Sequence, residues 1–449
     1  MRPLGTAATI LAIILYLLGT IPGWTRLTPP TPAPATHAPA APTADAPAVA
    51  TAHAPAAMAR PARLRSEATL RSGPGGSHPV VAVLQRGAAI SVTGMQDGYY
   101  RVRLASGTDG WVWGPLVELS PWPTSTGQFR WPDGGRSPAV VGYYVFDGAS
   151  PSYSSMIQHA SALSAIAPWA WRVDARGRVF AAAEPTELQA ALRAAGRLGL
   201  QRYPLVHNYH GGRFDADAAH GLLTNEQSRR DAVEALTELG RQSGVEGMVL
   251  NLENVPPADR EALSAFTAQL ATALRVQGMR LAVAVAAKTS DRPDDPFRGA
   301  YDYPALGRVA DAIWLMTYDE HYRLGPPGPV ASFGWVEQVV RYATGAVEPA
   351  RLVLGLPAYG YLWSREGPAR ALTHAQAMAE LRASRATLRW HPVHKVPYFA
   401  DGSREVWFED RYSAASKVSL VRRYGLGGVA VWRLGQEDPK LWEALQALL

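Results

Sequence analysis

The 449-residue chain contains no cysteine. This absence excludes disulfide bonds, thiol catalysis and cysteine-ligated metal sites, and it fits an exported bacterial protein as well as a cytosolic one. Concentrated positive charge is also missing, because the net charge of +6 comes from 44 basic and 38 acidic residues that are spread along the chain. Charge this diffuse favours weak attraction to anionic surfaces such as a cell wall and argues against nucleic-acid binding.

Several motifs of enzyme chemistry are absent as well. No serine lies in a GxSxG context, no GxxxxGK[ST] loop is present, and no GxGxxG follows the first strand of the C-terminal region. The nearest cluster of acids and histidine, Asp319-Glu320-His321, is consecutive, so its side chains point in different directions. These absences disfavour a serine hydrolase, a nucleotide-binding enzyme and a metal site, and we expect neither a cofactor nor a metal.

The N-terminus predicts export. Arg2 precedes the apolar stretch LGTAATILAIILYLLGTIPGW, which has about the length needed to span a bilayer. Residues 1–27 are therefore interpreted as a signal anchor or a signal peptide. Residues 28–62 are rich in Pro, Ala and Thr without hydrophobic periodicity, which is typical of a disordered, extended linker. We expect the rest of the chain to lie on the extracellular side of the membrane or in the cell wall.

Residues 63–120 predict a small all-β barrel. The β-type runs VVAVL, AISVTG, YYRVRL and GWVWG alternate with the turn signals SGPGGS, QDG and SGTDG. Three stretches in this region, LRSGP, GYYRV and GWV, resemble the bacterial SH3-like domain. The resemblance implies attachment to cell-wall peptides. We expect Trp111 to pack in the core of this unit, and Tyr99, Tyr100 and Trp113 to line an exposed groove.

Residues 138–449 contain eight strand-like runs separated by helix-length segments such as 227–243 and 256–277. The runs are AVVGYYV, LSAIAPW, YPLVHNY, GMVLNLE, LAVAVAA, DAIWLMTYD, RLVLGLPAYG and GGVAVWRLG. Eight strands alternating with helices predict an α/β fold, a parallel (β/α)8 TIM barrel. The span 361–425 between strands seven and eight has strand signals of its own, so we expect a small α+β insertion there.

Polar and aromatic residues gather at the predicted strand ends, where the chemistry of such barrels takes place. Carboxyl, amide, phenol and indole groups in this combination suit a sugar, whose ring face stacks on aromatics and whose hydroxyls need directed hydrogen bonds. The residues at these ends are Tyr143, Tyr144, Trp169, Asn208, Tyr209, Asn251, Glu253, Lys288, Tyr318, Asp319, Tyr359 and Trp432.

The stretch EGMVLNLENV concentrates the catalytic candidates. Ordinary glycosidases use two carboxylates, but the residue two positions before Glu253 is Asn251, which is a poor nucleophile. A substrate with a 2-acetamido group supplies its own nucleophile, because the acetamido oxygen can attack the anomeric carbon. In this hypothesis a buried, protonated Glu253 is the acid, Asn251 accepts the acetamido N–H, Tyr318 holds the acetamido oxygen, and Trp432 forms the floor of the site.

Glu253 after strand four, MTYD at 316–319 after strand six and Trp432 on strand eight resemble glycoside hydrolase family 18. Within it, the likeness is greatest to the spore-associated, peptidoglycan-cleaving N-acetylglucosaminidases. Longer stretches such as NLENVPPADR, AVAAKTSD and GLPAYGYLW extend the resemblance over essentially all of 138–449. It implies cleavage of β-1,4 bonds beside N-acetylglucosamine with retention and without a metal. The residues predicted to bind substrate are Tyr143, Asn208, Met316, Asp319, Tyr359 and Trp432.

One departure from the family pattern keeps other interpretations open. The family's DGxDxDxE is EGMVLNLE here, so the three Asp positions hold Glu246, Val249 and Asn251. Loss of the last Asp removes a carboxylate that steadies the oxazolinium-like intermediate. A chitinase and a catalytically silent glycan-binding protein are the alternatives. An alternative role for Asp319 is to hold a loop in place, and Tyr359 is either a sugar platform or an anchor of the insertion.

The sequence thus predicts an exported cell-wall glycoside hydrolase. Its expected partner is peptidoglycan or another N-acetylglucosamine-containing glycan, with the SH3-like unit contacting the wall and the N-terminal segment contacting the membrane. Such tethering raises the effective concentration of substrate. Spore cortex or wall remodelling is the expected context, and a monomer is the default expectation.

Overall fold

The computed structural model describes residues 60–96, 99–119, 138–146, 151–365 and 367–449. The predicted signal segment and almost all of the predicted linker lie outside these ranges. Among the helices of the described ranges, none combines the length and apolarity needed to cross a membrane.

Seven short strands form the N-terminal all-β unit. They are β1 (Arg60–Leu64), β2 (Ala68–Arg71), β3 (Val80–Leu84), β4 (Ala89–Gln96), β5 (Tyr99–Arg103), β6 (Asp109–Trp113) and β7 (Val117–Leu119). Their order in the sheet is β3-β2-β6-β5-β4-β1-β7, and the pairings are antiparallel. Leu70, Val102 and Val112 are fully buried at its centre. The predicted SH3-like barrel is confirmed in its fold class.

Two expectations about the aromatics of this unit are wrong. Tyr100 is not exposed, because it is buried in the core of this unit at 4% exposure. Trp111 is only half-buried, whereas its neighbour Val112 is the core residue of β6. The alternation of a strand explains both, since Tyr100 and Val112 pair across β5 and β6 and point inward together. Trp113 points outward and contacts Tyr99, with the ring centroids 4.9 Å apart.

Eight parallel strands close the C-terminal barrel. They are β8 (Ala139–Tyr144), β9 (Ala165–Val173), β12 (Leu205–His207), β15 (Gly247–Asn251), β16 (Arg280–Ala286), β17 (Ala312–Met316), β18 (Leu352–Pro357) and β24 (Gly428–Trp432). Each pairs in parallel with the next, and β24 pairs with β8 to close the ring. The predicted TIM barrel is therefore confirmed.

Ten helices and several short strands complete this unit in the described residues. The helices are α1 (Pro151–Gln158), α2 (Pro185–Arg197), α3 (Ala216–Thr224), α4 (Glu226–Ser243), α5 (Arg260–Val276), α6 (Tyr303–Val309), α7 (Phe333–Ala346), α8 (His374–Ala383), α9 (Arg411–Tyr424) and α10 (Leu441–Leu448). The short strands outside the inserted sheet are β10 (Val179–Ala181), β11 (Gln201–Arg202), β13 (Tyr209–His210) and β14 (Arg213–Phe214).

Local chemistry sets the ends of the two predicted helices. Asn225 caps α4 by accepting the N–H of Ser228, and Gly244 ends it in the left-handed conformation. Helix α5 begins later than predicted, at Arg260, because the two prolines at 256 and 257 lead into a 3₁₀ turn, Pro257–Asp259, instead of an α-helical turn.

The predicted α+β insertion lies between β18 and β24. Its antiparallel sheet contains β19 (Tyr359–Ser364), β20 (Arg370–Thr373), β21 (Arg389–His391), β22 (Val396–Ala400) and β23 (Arg404–Phe408). Tyr359 opens this sheet, whereas the sequence placed it at the end of the preceding barrel strand. The reason is that β18 ends at Pro357, and the chain then pairs with β20 and β23. One face of the sheet continues the aromatic interior of the barrel.

The barrel strands are covered on both faces, which explains their continuous apolar sequences. In β15, Val249 points into the barrel, whereas Met248 and Leu250 pack against the outer helices. The polar side chains therefore follow at the end of the strand, where the mouth of the barrel gives them room.

The all-β unit packs against the insertion side of the barrel. Trp113 stacks on Tyr412 at the start of α9, with ring centroids 6.2 Å apart and planes 14° apart. A cavity of about 600 Å³ remains between the two units, and Tyr100, Pro115, His374 and Lys440 are among its lining residues. Trp113 is thus covered on one side by the barrel unit.

Candidate active site

The end of β15 presents Glu253 at the mouth of the barrel. Asn251 Nδ2 donates a hydrogen bond to Glu253 Oε1 over 2.9 Å. Removal from water raises the pKa of the Glu253 carboxyl to about 8, and nearby Asp319 adds to this effect, whereas the hydrogen bond from Asn251 opposes it. The carboxyl therefore carries its proton at neutral pH, which is the state that a general acid requires.

The backbone of Glu253 is held by Asn208, which follows β12. Asn208 Oδ1 accepts the N–H of Glu253 over 2.9 Å, and Asn208 Nδ2 donates to the carbonyl of Glu253 over 2.8 Å and to that of Asp215 over 2.9 Å. Asn208 is completely buried. Its amide is thus occupied by backbone groups, so the geometry gives it a positioning role in place of the predicted substrate contact.

Only one of the two polar atoms in the Asn251 side chain has a hydrogen-bond partner among the described residues. Its Nδ2 is engaged by Glu253, but its Oδ1 is buried and meets no donor within the described residues. Burying an acceptor without a hydrogen bond costs free energy, commonly about 1–3 kcal/mol. An orphaned acceptor beside a protonated acid is therefore suited to a donor that a ligand brings.

Asp319 lies in the loop after β17, in the left-handed backbone region at φ 58°. Its Oδ1 accepts hydrogen bonds from the hydroxyls of Tyr359 over 2.6 Å and Tyr361 over 3.0 Å. Burial raises the pKa of Asp319 to about 6, although the two phenols oppose the rise. Both tyrosines are almost completely buried, so they position Asp319 and do not offer flat platforms to a sugar.

The floor of the mouth is aromatic. Trp432, at the end of β24, contacts Tyr143 at 5.0 Å and Trp169 at 5.6 Å between ring centroids. Tyr318 lies above it at 6.5 Å with its ring inclined by 27°, and shares a hydrogen bond with Tyr143. Gly355 in β18 leaves the room for this arrangement, because a Cβ there would lie 3.0 Å from the Tyr318 ring and 2.3 Å from a backbone oxygen.

The structure thus brings most predicted site residues to one place. Met316 also packs against this aromatic interior. Two strand-end residues point elsewhere: Tyr144 packs with the outer helices, and Lys288 Nζ donates to Asp291 Oδ1 over 2.7 Å and to the carbonyl of Tyr301 over 2.6 Å. In the described residues, no group of three or more His, Asp or Glu side chains is placed to hold a metal ion.

His207 is a site residue that the sequence analysis did not identify. Its ring stacks on Trp169 at 4.4 Å, and its Nδ1 accepts the N–H of Tyr209 over 3.1 Å. Burial lowers the pKa of His207 to about 3, and Arg172 contributes to the drop, so the imidazole is neutral. The alternation of β12 was the signal for it, since His207 follows the inward-pointing Leu205 by two residues.

Comparison with protein families gives two matches. The family described as glycosyl hydrolases family 18 matches residues 211–437. The bacterial SH3 domain matches residues 66–118. The first match includes Glu253, Asp319 and Trp432, and the second includes Trp113.

Individual relatives agree with these matches. The uncharacterized glycosylase YvbX of Bacillus subtilis (strain 168) is 27% identical over 68% of this chain and 90% of its own length. The cortical fragment-lytic enzyme of Bacillus anthracis is 29% identical over 58% of this chain and 63% of its own length. The alignment thus spans less than two thirds of the latter enzyme.

Solved structures show the same fold. The chitinase from Chromobacterium violaceum ATCC 12472 superposes with a TM-score of 0.65 at 32% identity, over 69% of this chain and 98% of that one. The spore cortex-lytic enzyme SleL of Bacillus cereus gives a TM-score of 0.66 at 23% identity, over 82% of this chain and 90% of that one, which is a likeness of fold alone.

The raised pKa of Glu253 predicts a pH-dependent cost to stability. Between its usual pKa in the unfolded chain and about 8 in the folded protein, the folded state holds one proton more, so stability falls as the pH rises through this window. Glu253→Gln keeps an acceptor for Asn251 and cannot ionise. We expect the unfolding free energy of Glu253→Gln to exceed that of the wild type by an amount that grows between about pH 5 and about pH 9. This growth should be more than about 1.4 kcal/mol, measured by urea denaturation.

Asp319→Asn is the matched control. The carboxyl of Asp319 has a pKa of about 6 in the folded protein, so the stability gained by replacing it should reach its full value at a lower pH than for Glu253→Gln. A Glu253→Gln difference that stays constant across this pH range would contradict the assignment of a protonated Glu253.

Proposed function

Because the chain belongs to glycosyl hydrolase family 18, we propose that it cleaves the β-1,4 bond on the reducing side of N-acetylglucosamine in peptidoglycan. The proposed reaction is substrate-assisted and retains the anomeric configuration. Glu253 is the general acid and base, Asn251 orients the acetamido group, and Tyr318 holds the acetamido oxygen.

The observation that carries this proposal is the pairing of a protonated acid with an orphaned acceptor. Glu253 has its proton at neutral pH, and Oδ1 of Asn251, the residue that donates to Glu253, meets no donor in the part of the chain that the structure describes. The neighbouring carboxyl that raises the pKa of Glu253, Asp319, is engaged by two tyrosine hydroxyls. Position 251 carries an amide and Asp319 is held by the two phenols, so in the proposed reaction an acetamido oxygen takes the role of the nucleophile.

The steps balance with the residues present. The acetamido N–H donates to Asn251 Oδ1, and the acetamido oxygen forms a bond to the anomeric carbon as the glycosidic bond breaks. Glu253 gives its proton to the departing oxygen. The resulting carboxylate then takes a proton from water, which attacks the anomeric carbon, opens the oxazolinium ring and restores the acetamido group with net retention.

Peptidoglycan is favoured over chitin by two observations. The N-terminal unit matches the bacterial SH3 domain, and relatives with this barrel are named cortical fragment-lytic enzymes. Chitin is the second candidate substrate, because the chitinase from Chromobacterium violaceum shares 32% identity. A silent glycan-binding role is the third candidate and rests on the Asn at position 251.

The direct test is digestion of purified peptidoglycan by residues 60–449, analysed by mass spectrometry of the released fragments. We expect new reducing ends at N-acetylglucosamine, with the β-anomer formed first, and none with Glu253→Gln. Chitin oligomers are digested in parallel. Cleavage of chitin but not of peptidoglycan would show that chitin is the substrate. If both proteins bind peptidoglycan and neither releases fragments, the chain is a glycan-binding protein and not an enzyme.

The role of position 251 predicts the effect of restoring an acid. Asn251→Asp adds a carboxylate beside the developing positive charge, so kcat should rise by at least about tenfold. A like charge raises the pKa of Glu253, so the alkaline limb of kcat/KM should move upward from about pH 8. Asn251→Ala removes the acceptor and should lower kcat. A fall in kcat for Asn251→Asp would instead mean that the amide donor to Glu253 is essential.

The proposed location is the extracellular side of the membrane or the cell wall. The apolar stretch that begins after Arg2 supports export, and the SH3-like unit supports wall contact. A reporter enzyme that is active only outside the cytoplasm, fused after residue 62, should be active in a bacterial host. Reporter activity in the membrane fraction would indicate an anchor, and activity in the medium would indicate a cleaved signal peptide. An inactive reporter with the apolar stretch intact would contradict export.

A further inference from the structure

Arg172, near the end of β9, is in register with the catalytic strand. In the ladders of the barrel, His207 of β12 pairs with Arg172 on one side and with Asn251 of β15 on the other. Parallel strands are about 4.8 Å apart, so the backbones of Arg172 and Asn251 are separated by roughly 10 Å along the rim of the barrel. That places Arg172 beside the site, on the side of β9.

The side chain of Arg172 faces the mouth because β9 is irregular. Trp169 points into the barrel, but Trp171, two residues later, packs with the outer helices, and the register with β12 shifts at this point. The irregularity reverses the alternation, so that Arg172 turns toward the interior side. Consistent with this orientation, Arg172 helps to lower the pKa of His207, whose ring lies on Trp169.

The guanidinium of Arg172 has no carboxylate partner in the described residues. It lies over the ring of Phe180 in β10, with Cζ 4.2 Å from the centroid. Arg178 lies against the same ring at 5.4 Å, but its charge is paired with Asp174, which its Nε contacts over 2.8 Å. Two arginines thus share one aromatic ring, and among the described residues Arg178 has a carboxylate partner whereas Arg172, which faces the mouth, has none.

An arginine held on an aromatic ring with its donors uncommitted is suited to bidentate recognition of a carboxylate. Stacking fixes the plane of the guanidinium, so less side-chain freedom is lost when a ligand binds. A neutral polymer of N-acetylglucosamine offers no group that uses this charge. A glycan with acidic substituents does.

We propose that Arg172 is a specificity-determining residue that binds a carboxylate carried by a sugar next to the cleaved N-acetylglucosamine unit. This inference rests on the proposed function and names the feature by which an acidic glycan is selected over a neutral one. Two sources offer the same chemistry in peptidoglycan: the lactyl ether of a peptide-free muramic residue and the carboxylates of an attached stem peptide.

The test compares three substrates that differ in charge. They are peptidoglycan strands freed of peptide, the same strands after methyl esterification, and strands with intact stem peptides. Arg172→Gln should raise KM on peptide-free strands about tenfold, the loss typical of a partly exposed charged hydrogen bond, with kcat unchanged. On the esterified strands it should match the wild type. A tenfold effect on the peptide-bearing strands alone identifies the stem peptide as the source of the carboxylate.

Arg178→Gln is the matched control, because it removes the other arginine on the Phe180 ring, whose charge is already paired. It should leave KM unchanged on all three substrates. Arg172→Lys keeps the positive charge but lacks the planar guanidinium that stacks on Phe180. Its KM on peptide-free strands should lie between those of the wild type and Arg172→Gln. Added salt should raise the KM of the wild type on the acidic strands and not that of Arg172→Gln.

Binding is also measured in the Glu253→Gln background, so that the result does not depend on turnover. There Arg172 should favour the free acid over the ester by about tenfold. Equal losses by Arg172→Gln on acidic and esterified strands, or no loss on either acidic substrate, would overturn the inference and leave the proposed function standing. Absence of cleavage by the wild type would overturn the proposed function and leave the binding comparison to decide the role of Arg172.

Discussion

The enclosure of one carboxyl group, that of Glu253, is the constraint on which the site depends. An ionised carboxylate is costly in an apolar barrel, so the group keeps its proton at a pH where an exposed glutamate would lose it. A proton held this way is useful only if the group is also held in place. Asn208 provides that restraint through three hydrogen bonds to backbone groups, two of them on Glu253 itself.

The insertion belongs to the same arrangement. Tyr359 and Tyr361 on its first strand donate to Asp319, and the carbonyl of Tyr359 accepts the N–H of Glu409 over 3.1 Å. The carboxylate of Glu409 is buried against Lys417 Nζ of α9 at 2.6 Å. A continuous set of polar contacts therefore connects helix α9 to Asp319 at the mouth of the barrel. The all-β unit contacts the start of that helix through the stacking of Trp113 on Tyr412. Helix α9 is therefore contacted both by the insertion and by the all-β unit.

Sequence reasoning predicted the fold and the position of Glu253 after the fourth barrel strand because both leave regular patterns. Eight apolar runs of strand length predict a closed parallel barrel, and a polar pair after a two-sided apolar strand marks Asn251 and Glu253. It could not reach features that depend on exceptions to alternation. The shift in β9 turns Arg172 inward, and no periodic pattern predicts such a shift. The fully occupied amide of Asn208 was likewise invisible, since its partners are backbone groups of residues far along the chain.

The Asn at position 251 changes how charge is distributed in the proposed reaction. With an Asp there, two carboxylic groups would lie in hydrogen-bond contact, and repulsion between their charges would help to keep a proton on Glu253. With Asn251, the hydrogen bond from its amide lowers the pKa of Glu253, and burial together with the charge of Asp319 outweighs it. Asp319, with a pKa of about 6, is mostly ionised at neutral pH. In this chain Asp319 is therefore the negative charge that both raises the pKa of Glu253 and can offset an oxazolinium ion. The tyrosines that fix the position of Asp319 thereby help to determine the electrostatics of the proposed reaction.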